Sequence, residues 1–135
     1  MNKTFGIIKP NSVQKNHIGK ILTIVEENGL KIIRMQMKNL SQTEAEEFYQ
    51  EHRERPFYQS LCKFMTSGPV VVFAMQAEGA VEKWRTIMGA TDPAKAAPGT
   101  IRKLFADSIE ANSVHGSANE SDAKRELAFF FSDLR

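Results

Sequence analysis

Apolar and polar positions alternate along this chain in two rhythms, and the changes of rhythm mark out its elements. Residues 4–9 form a short apolar run stopped by Pro10, which predicts a buried strand. Over residues 18–27, Ile21, Leu22, Ile24 and Val25 recur at helical spacing, and Gly29 ends that helix. Residues 31–38 then alternate, with Ile33, Met35 and Met37 on one face and Arg34, Gln36 and Lys38 on the other, as in a half-exposed strand. Ser41 and Glu44 have capping-box spacing, so a helix starts there, carries Phe48 and Tyr49, and stops before Pro56. A second helix follows over 57–65. After the Gly68-Pro69 turn, residues 70–75 are apolar on both faces, which predicts a central strand.

The second half continues the interleaving. Residues 80–88 place Val81, Trp84 and Met88 on one side of a helix closed by Gly89. A loop over 90–99 contains Pro93 and Pro98 and has the length that often carries function. A short helix over 100–106 turns Ile101, Leu104 and Phe105 inward. A short strand over 112–115 and the Gly116-Ser117 turn lead to a last helix over 121–131, with Ala123, Leu127 and Phe130 spaced for burial. No repeat or linker interrupts this order, so residues 1–135 are expected to form one domain. The fold class is α/β (α+β): a four-stranded sheet with helices mainly on one face, built like a split βαβ repeat, with the helical pair at 43–66 as an insertion. Met35, Met37, Met65, Met75 and Met88 read as core fillers.

Composition narrows the function classes. With 135 residues, 41% hydrophobic and 25% charged, the chain resembles an ordinary globular domain rather than a disordered or fibrous one. Its 18 basic and 16 acidic residues leave a net charge of +2, too even to make nucleic-acid or membrane binding the default. Cys62 is the lone cysteine, so an intrachain disulfide is excluded. The start, MNKTFGIIKPN, has no signal-peptide pattern, and no run approaches the ~18 apolar residues of a membrane span. A soluble cytoplasmic protein is the expectation.

Side chains must carry any chemistry, because no Walker loop, G-x-G, H-E-x-x-H, G-x-S-x-G or C-x-x-C is present. His17 lies in a polar stretch and His52 on a charged helix end, so both read as solvated. His115 stands apart, between Val114 and the tight Gly116-Ser117, where a ligand can approach its ring. Lys9 ends the first strand, while Arg85 and Arg102 flank the proline loop, whose bend would bring them together. Guanidinium forks and an ammonium suit phosphate oxygens; taken singly, each also fits a surface salt bridge. Phe57 fits either the core or a base-stacking platform.

The segment N-S-V-H-G-S (112–117) resembles the active-site motif of nucleoside diphosphate kinases. I-I-K-P, R-P-F, S-G-P-V-V-V, R-x-x-x-G-A-T-x-P and P-G-T-I-R resemble further segments of that family, in family order, so the resemblance covers essentially the whole chain. It implies a ferredoxin-like sandwich with an antiparallel sheet. It implies transfer of the γ-phosphate of a nucleoside triphosphate, typically ATP, to a nucleoside diphosphate, by ping-pong through a phosphohistidine at His115. By the same resemblance, Glu126 orients that ring, Ser117 bonds the glutamate, and Tyr49 lies near the transferred phosphate. Arg85, Thr91 and Arg102 match phosphate contacts, and Lys9 and Asn112 match contacts to the ribose and inner phosphates. Phe57 matches the aromatic that stacks on the base, with Leu61 and Ile109 lining its slot. Mg²⁺ would be held chiefly by nucleotide phosphates, with no metal-ligating residues in the chain itself, and a homo-oligomer is implied. The chain departs from many relatives at Asn11 and Ala118, where an acidic residue is common. It also stops soon after Phe131, without a longer tail that joins subunit contacts in some of them, so tetramer and hexamer both stay open.

Overall fold

A computed structural model describes residues 2–134. Its strands are β1 (Lys3–Ile8), β2 (Lys31–Lys38), β3 (Val70–Gln76) and β4 (Val114–Gly116). Its α-helices are α1 (Pro10–Gln14), α2 (Ile18–Glu27), α3 (Gln42–Phe48), α4 (Tyr58–Met65), α5 (Ala80–Met88), α6 (Ile101–Phe105) and α7 (Glu120–Phe130). Short 3-10 turns occupy Gln50–His52 and Pro93–Lys95. The strands pair antiparallel in the order β2-β3-β1-β4, so β3 and β1 are central. That position accounts for the unbroken burial of Val70 to Met75.

Helices cover both faces of this sheet rather than mainly one. On one face Phe5, Ile7, Val70, Val72 and Ala74 pack with Phe48, Leu61, Met65 and Leu127. On the other, Ile8, Val71, Phe73 and Met75 pack with Ile21, Val25, Trp84 and Ile101. The inserted pair α3–α4 and α7 therefore close the face that a minimal four-stranded plan would leave open.

Three further expectations are corrected. In β2 the register with β3 shifts between Ile32 and Arg34, a bulge that breaks the two-residue period. Ile33 packs against the Phe5 face, whereas Met35 and Met37 stand opposite Phe73 and Val71 on the other. Both methionines are more than half exposed, at 55% and 56%, so they are not core fillers. Leu104, expected inward, is 55% exposed, because the five-residue α6 buries only Ile101 and Arg102. Pro10 does not merely stop β1: it opens α1 at a position where a proline's missing N–H costs nothing.

Candidate active site

β4 places His115 at the head of a cleft. Ile7 of β1 pairs with His115, and Trp84 Nε1 donates to the His115 carbonyl at 3.3 Å. Gly116 has to be glycine there, because a Cβ would lie 2.7 Å from Trp84 Nε1. Just upstream, Val114 N donates to Asn112 O at 2.9 Å around Ser113, whose φ is 74°. This tight turn is a strained backbone of the kind that concentrates at functional sites. Lys9 N donates to Ser113 O at 2.8 Å and ties the turn to the end of β1.

The imidazole is held on several sides. Its Nε2 lies 2.8 Å from Glu126 Oε1, which also accepts from Ser117 Oγ at 2.8 Å. Phe48 and Tyr49 meet the ring edge-on at 5.2 and 5.9 Å, and Phe5 at 6.2 Å. Glu126 is buried on α7, and because its Oε1 accepts from Ser117 and faces Nε2, the ring proton belongs on Nε2 and the Nδ1 lone pair is left free.

One cleft of about 660 Å³ is lined by Lys9, Tyr49, Phe57, Leu61, Arg85, Thr91, Arg102, Ile109, Asn112, His115 and Glu126. Ser117 sits behind it, against Glu126. The residues singled out in the sequence thus come from separate segments of the chain that the fold brings to one cleft. Phe57 and Ile109 are among the few large apolar side chains that stay exposed.

The cleft gathers three cationic side chains, Lys9, Arg85 and Arg102, and its lining also includes Glu51, Glu110, Asp122 and Glu126. Lys9 is buried, and that burial together with Arg102 brings its ammonium down to about 7, with Glu110 acting in the opposite direction. Burial and Arg85 bring Arg102 down to about 10. Arg102 is also a brace: Nη1 donates to Gly89 O at 3.0 Å and Nη2 to Val114 O at 2.9 Å. Several buried polar atoms on the wall have no partner, namely Tyr49 Oη, Arg102 Nε and Asn112 Oδ1. Burial, aided by Glu126, pushes the Tyr49 phenol above its ordinary value, so it stays a hydroxyl. Buried polar atoms without partners are costly, and a polar ligand would satisfy them.

Residues in and around the cleft also have settings that the sequence did not indicate. His52, taken as solvated, lines the cleft with its ring 5.4 Å from Phe57. Its neighbourhood to R-P-F was the available signal. His17, also read as solvated, is partly buried with its ring 4.7 Å from Phe105. Asn11 is buried and donates to Asp107 Oδ2 and Ala111 O, both at 2.9 Å, fastening the loop that carries Ile109. Lys15 and Asn11 hold the Asp107 carboxyl below its usual range.

The family model described as nucleoside diphosphate kinase matches residues 2–135. Nucleoside diphosphate kinases of Chlamydia pneumoniae and Wolinella succinogenes are each 56% identical to this chain, over 134 and 132 residues. Those matches cover 99% and 98% of this chain and 93% and 96% of the relatives. The solved Aquifex aeolicus nucleoside diphosphate kinase is 39% identical with a TM-score of 0.96, over 98% of this chain and 96% of that one. The Halobacterium salinarum enzyme, solved in complex with CDP, is 39% identical with a TM-score of 0.94, over 98% and 90%. The chain belongs to the nucleoside diphosphate kinase family.

Proposed function

We propose that this chain moves the γ-phosphate of a nucleoside triphosphate to a nucleoside diphosphate through a phosphohistidine at His115. The observation that carries the reading is an imidazole with a free Nδ1 in the same cleft as three mutually repelling cations, Lys9, Arg85 and Arg102.

The base lies between Phe57 and Ile109 with Leu61 beneath; stacking accepts any base, so purines and pyrimidines both serve. Lys9 and Asn112 take the ribose and inner phosphates, and Arg85, Thr91 and Arg102 the outer ones. In the first half-reaction the Nδ1 lone pair forms a bond to the γ-phosphorus. The bond from that phosphorus to the β,γ-bridging oxygen breaks, and the nucleoside diphosphate leaves. Glu126 keeps the Nε2 proton and balances the charge that develops on the ring. A second diphosphate then attacks the phosphohistidine along the reverse path. The equatorial charge of the in-line transition state meets cations already in place. Tyr49 Oη donates beside the transferred group. Among the described residues, no group of three or more His, Cys, Asp and Glu side chains is placed to enclose a metal. Mg²⁺ would arrive with the nucleotide and be held by its phosphates, where it would offset their charge.

The chain works as a homo-oligomer in the cytoplasm, where its buried Cys62 stays a thiol. Among the described residues no helix is long and apolar enough to cross a membrane. Incubation with [γ-³²P]ATP and Mg²⁺ should leave an acid-labile, base-stable phosphate on the protein that added diphosphates remove. His115→Ala should lose that label while still binding ADP; labelling of the alanine variant at wild-type level would sink the assignment.

A further inference from the structure

One side chain outside this machinery touches two of the walls that hold the imidazole. Arg125 precedes Glu126 on α7 and reaches across to the end of α3. Its Nη2 donates to the Phe48 carbonyl at 3.4 Å, and its guanidinium carbon lies 5.7 Å over the Phe48 ring. The same nitrogen stands 3.7 Å from Glu126 Oε2 and 3.8 Å from Glu51 Oε1. Oε1 of Glu126 is occupied by the His115 and Ser117 donors, so Oε2 is the end that still needs fixing. A carboxylate held by one oxygen turns easily about its terminal torsion, which is broad and only two-fold. A guanidinium 3.7 Å from the other oxygen, at ion-pair rather than hydrogen-bond distance, limits that freedom by attraction without touching substrate. Because it also covers Phe48, it steadies the ring that meets His115 edge-on.

We propose that Arg125 is a positioning residue for phosphoryl transfer: by clamping Glu126 Oε2 to Phe48, it keeps the proton on His115 Nε2 and Nδ1 open to the cleft. The inference rests on the phosphohistidine reading. The charged and titratable groups around the Glu126 carboxylate are His115 from β4, Tyr49 after α3, and Asp122 and Arg125 on α7 itself. Glu51 of the 3-10 turn stands behind the guanidinium. Arg125 is the cation that meets Oε2, while Lys9, Arg85, Arg102 and His52 line the same cleft.

The ring nitrogens of ¹⁵N-histidine-labelled protein report the tautomer without any nucleotide. Wild type should show one Nε2–H tautomer at His115. Arg125→Met, which keeps an apolar stem on Phe48, should show a mixture. In single turnover with saturating ATP it should phosphorylate about tenfold more slowly, with ADP affinity unchanged. Arg125→Lys should recover most of the rate and the single tautomer. A wild-type ring spectrum and rate in Arg125→Met would overturn the proposal. So would a parallel loss of rate and ADP affinity that lysine does not rescue, since that marks a merely structural role. Arg125→Gln repeats the test, with the same outcomes, if the methionine variant does not fold. Wild type that accepts no phosphate on His115 defeats the phosphohistidine reading instead, and the ring spectra still decide the role of Arg125.

Discussion

At the residue scale, Lys9 makes the cleft sensitive to pH. Burial and Arg102 bring its ammonium down from 10.5 to about 7, so the free protein loses that proton near neutrality. A polyphosphate favours the charged form, so above about pH 7 nucleotide binding takes up a proton and affinity falls as pH rises. Folding responds with the opposite sign. The buried charge costs stability below about pH 7, and that cost fades as pH rises toward the unfolded value of 10.5. Calorimetry of ADP binding at about pH 8, in buffers of different protonation enthalpy, should show uptake approaching one proton, abolished in Lys9→Met. Buffer-independent heats in the wild type would refute the linkage. Lys9, Phe57, Arg85, Thr91, Arg102, Asn112 and His115 were legible in the sequence because they stand in recognisable motifs, whereas His52 was not. The partners that tune them were not: Arg102's two backbone acceptors and the Asn11–Asp107 link join residues 12 to 96 positions apart, which local pattern does not encode.

At the scale of elements, the site depends on how closely α5 approaches β4. A Cβ on Gly116 would stand 2.4 Å from Met88 Cε and 2.7 Å from Trp84 Nε1. The methionine end can move aside, but the buried indole is held against Phe73, with ring centroids 5.6 Å apart. Gly116→Ala should therefore cost about 1–3 kcal/mol of stability in urea unfolding, the usual toll of overpacking. It should also slow phosphohistidine formation, because the displaced backbone carries His115. Unaltered unfolding and labelling would show that α5 and β4 have slack. Element type was readable where apolar period and caps agreed: the Ser41–Glu44 capping box forms as its spacing predicts. The strand over 31–38 was read correctly, but which face its side chains take was unreadable, because a single residue changes the period. The bulge in β2 sends Ile33 to one face and Met35 and Met37 to the other, and no composition signal marks that extra residue. α1 was hidden for a related reason, since a proline that ends a strand and one that opens a helix look alike in sequence.

At the scale of the whole molecule, covering both faces of a four-stranded sheet still leaves an edge. Among the described residues no strand pairs with the outer side of β2, the end position in the sheet. Edge strands of this kind are usually blunted by charge, proline or a bulge, because their free backbone groups invite another chain. Here the bulge lies near the start of the strand, and the following stretch shows Met35 and Met37 at more than half exposure on the face shared with Phe73 and Val71. α2, which covers the centre of that face, does not bury them. A two-fold contact between copies would bury this surface on both sides at once. The homo-oligomer proposed above would then be expected to meet across this edge. Met35→Lys combined with Met37→Lys should shift the sedimenting species to smaller mass without lowering the helical or strand content of the chain, since neither side chain contributes to a monomer's core. A wild-type protein that sediments as a monomer would remove the premise, and a double variant that keeps the wild-type mass would place the contact elsewhere. The cleft opens beside β4, at the opposite edge of the sheet, so a monomeric variant that retains its fold should still take phosphate from ATP on His115.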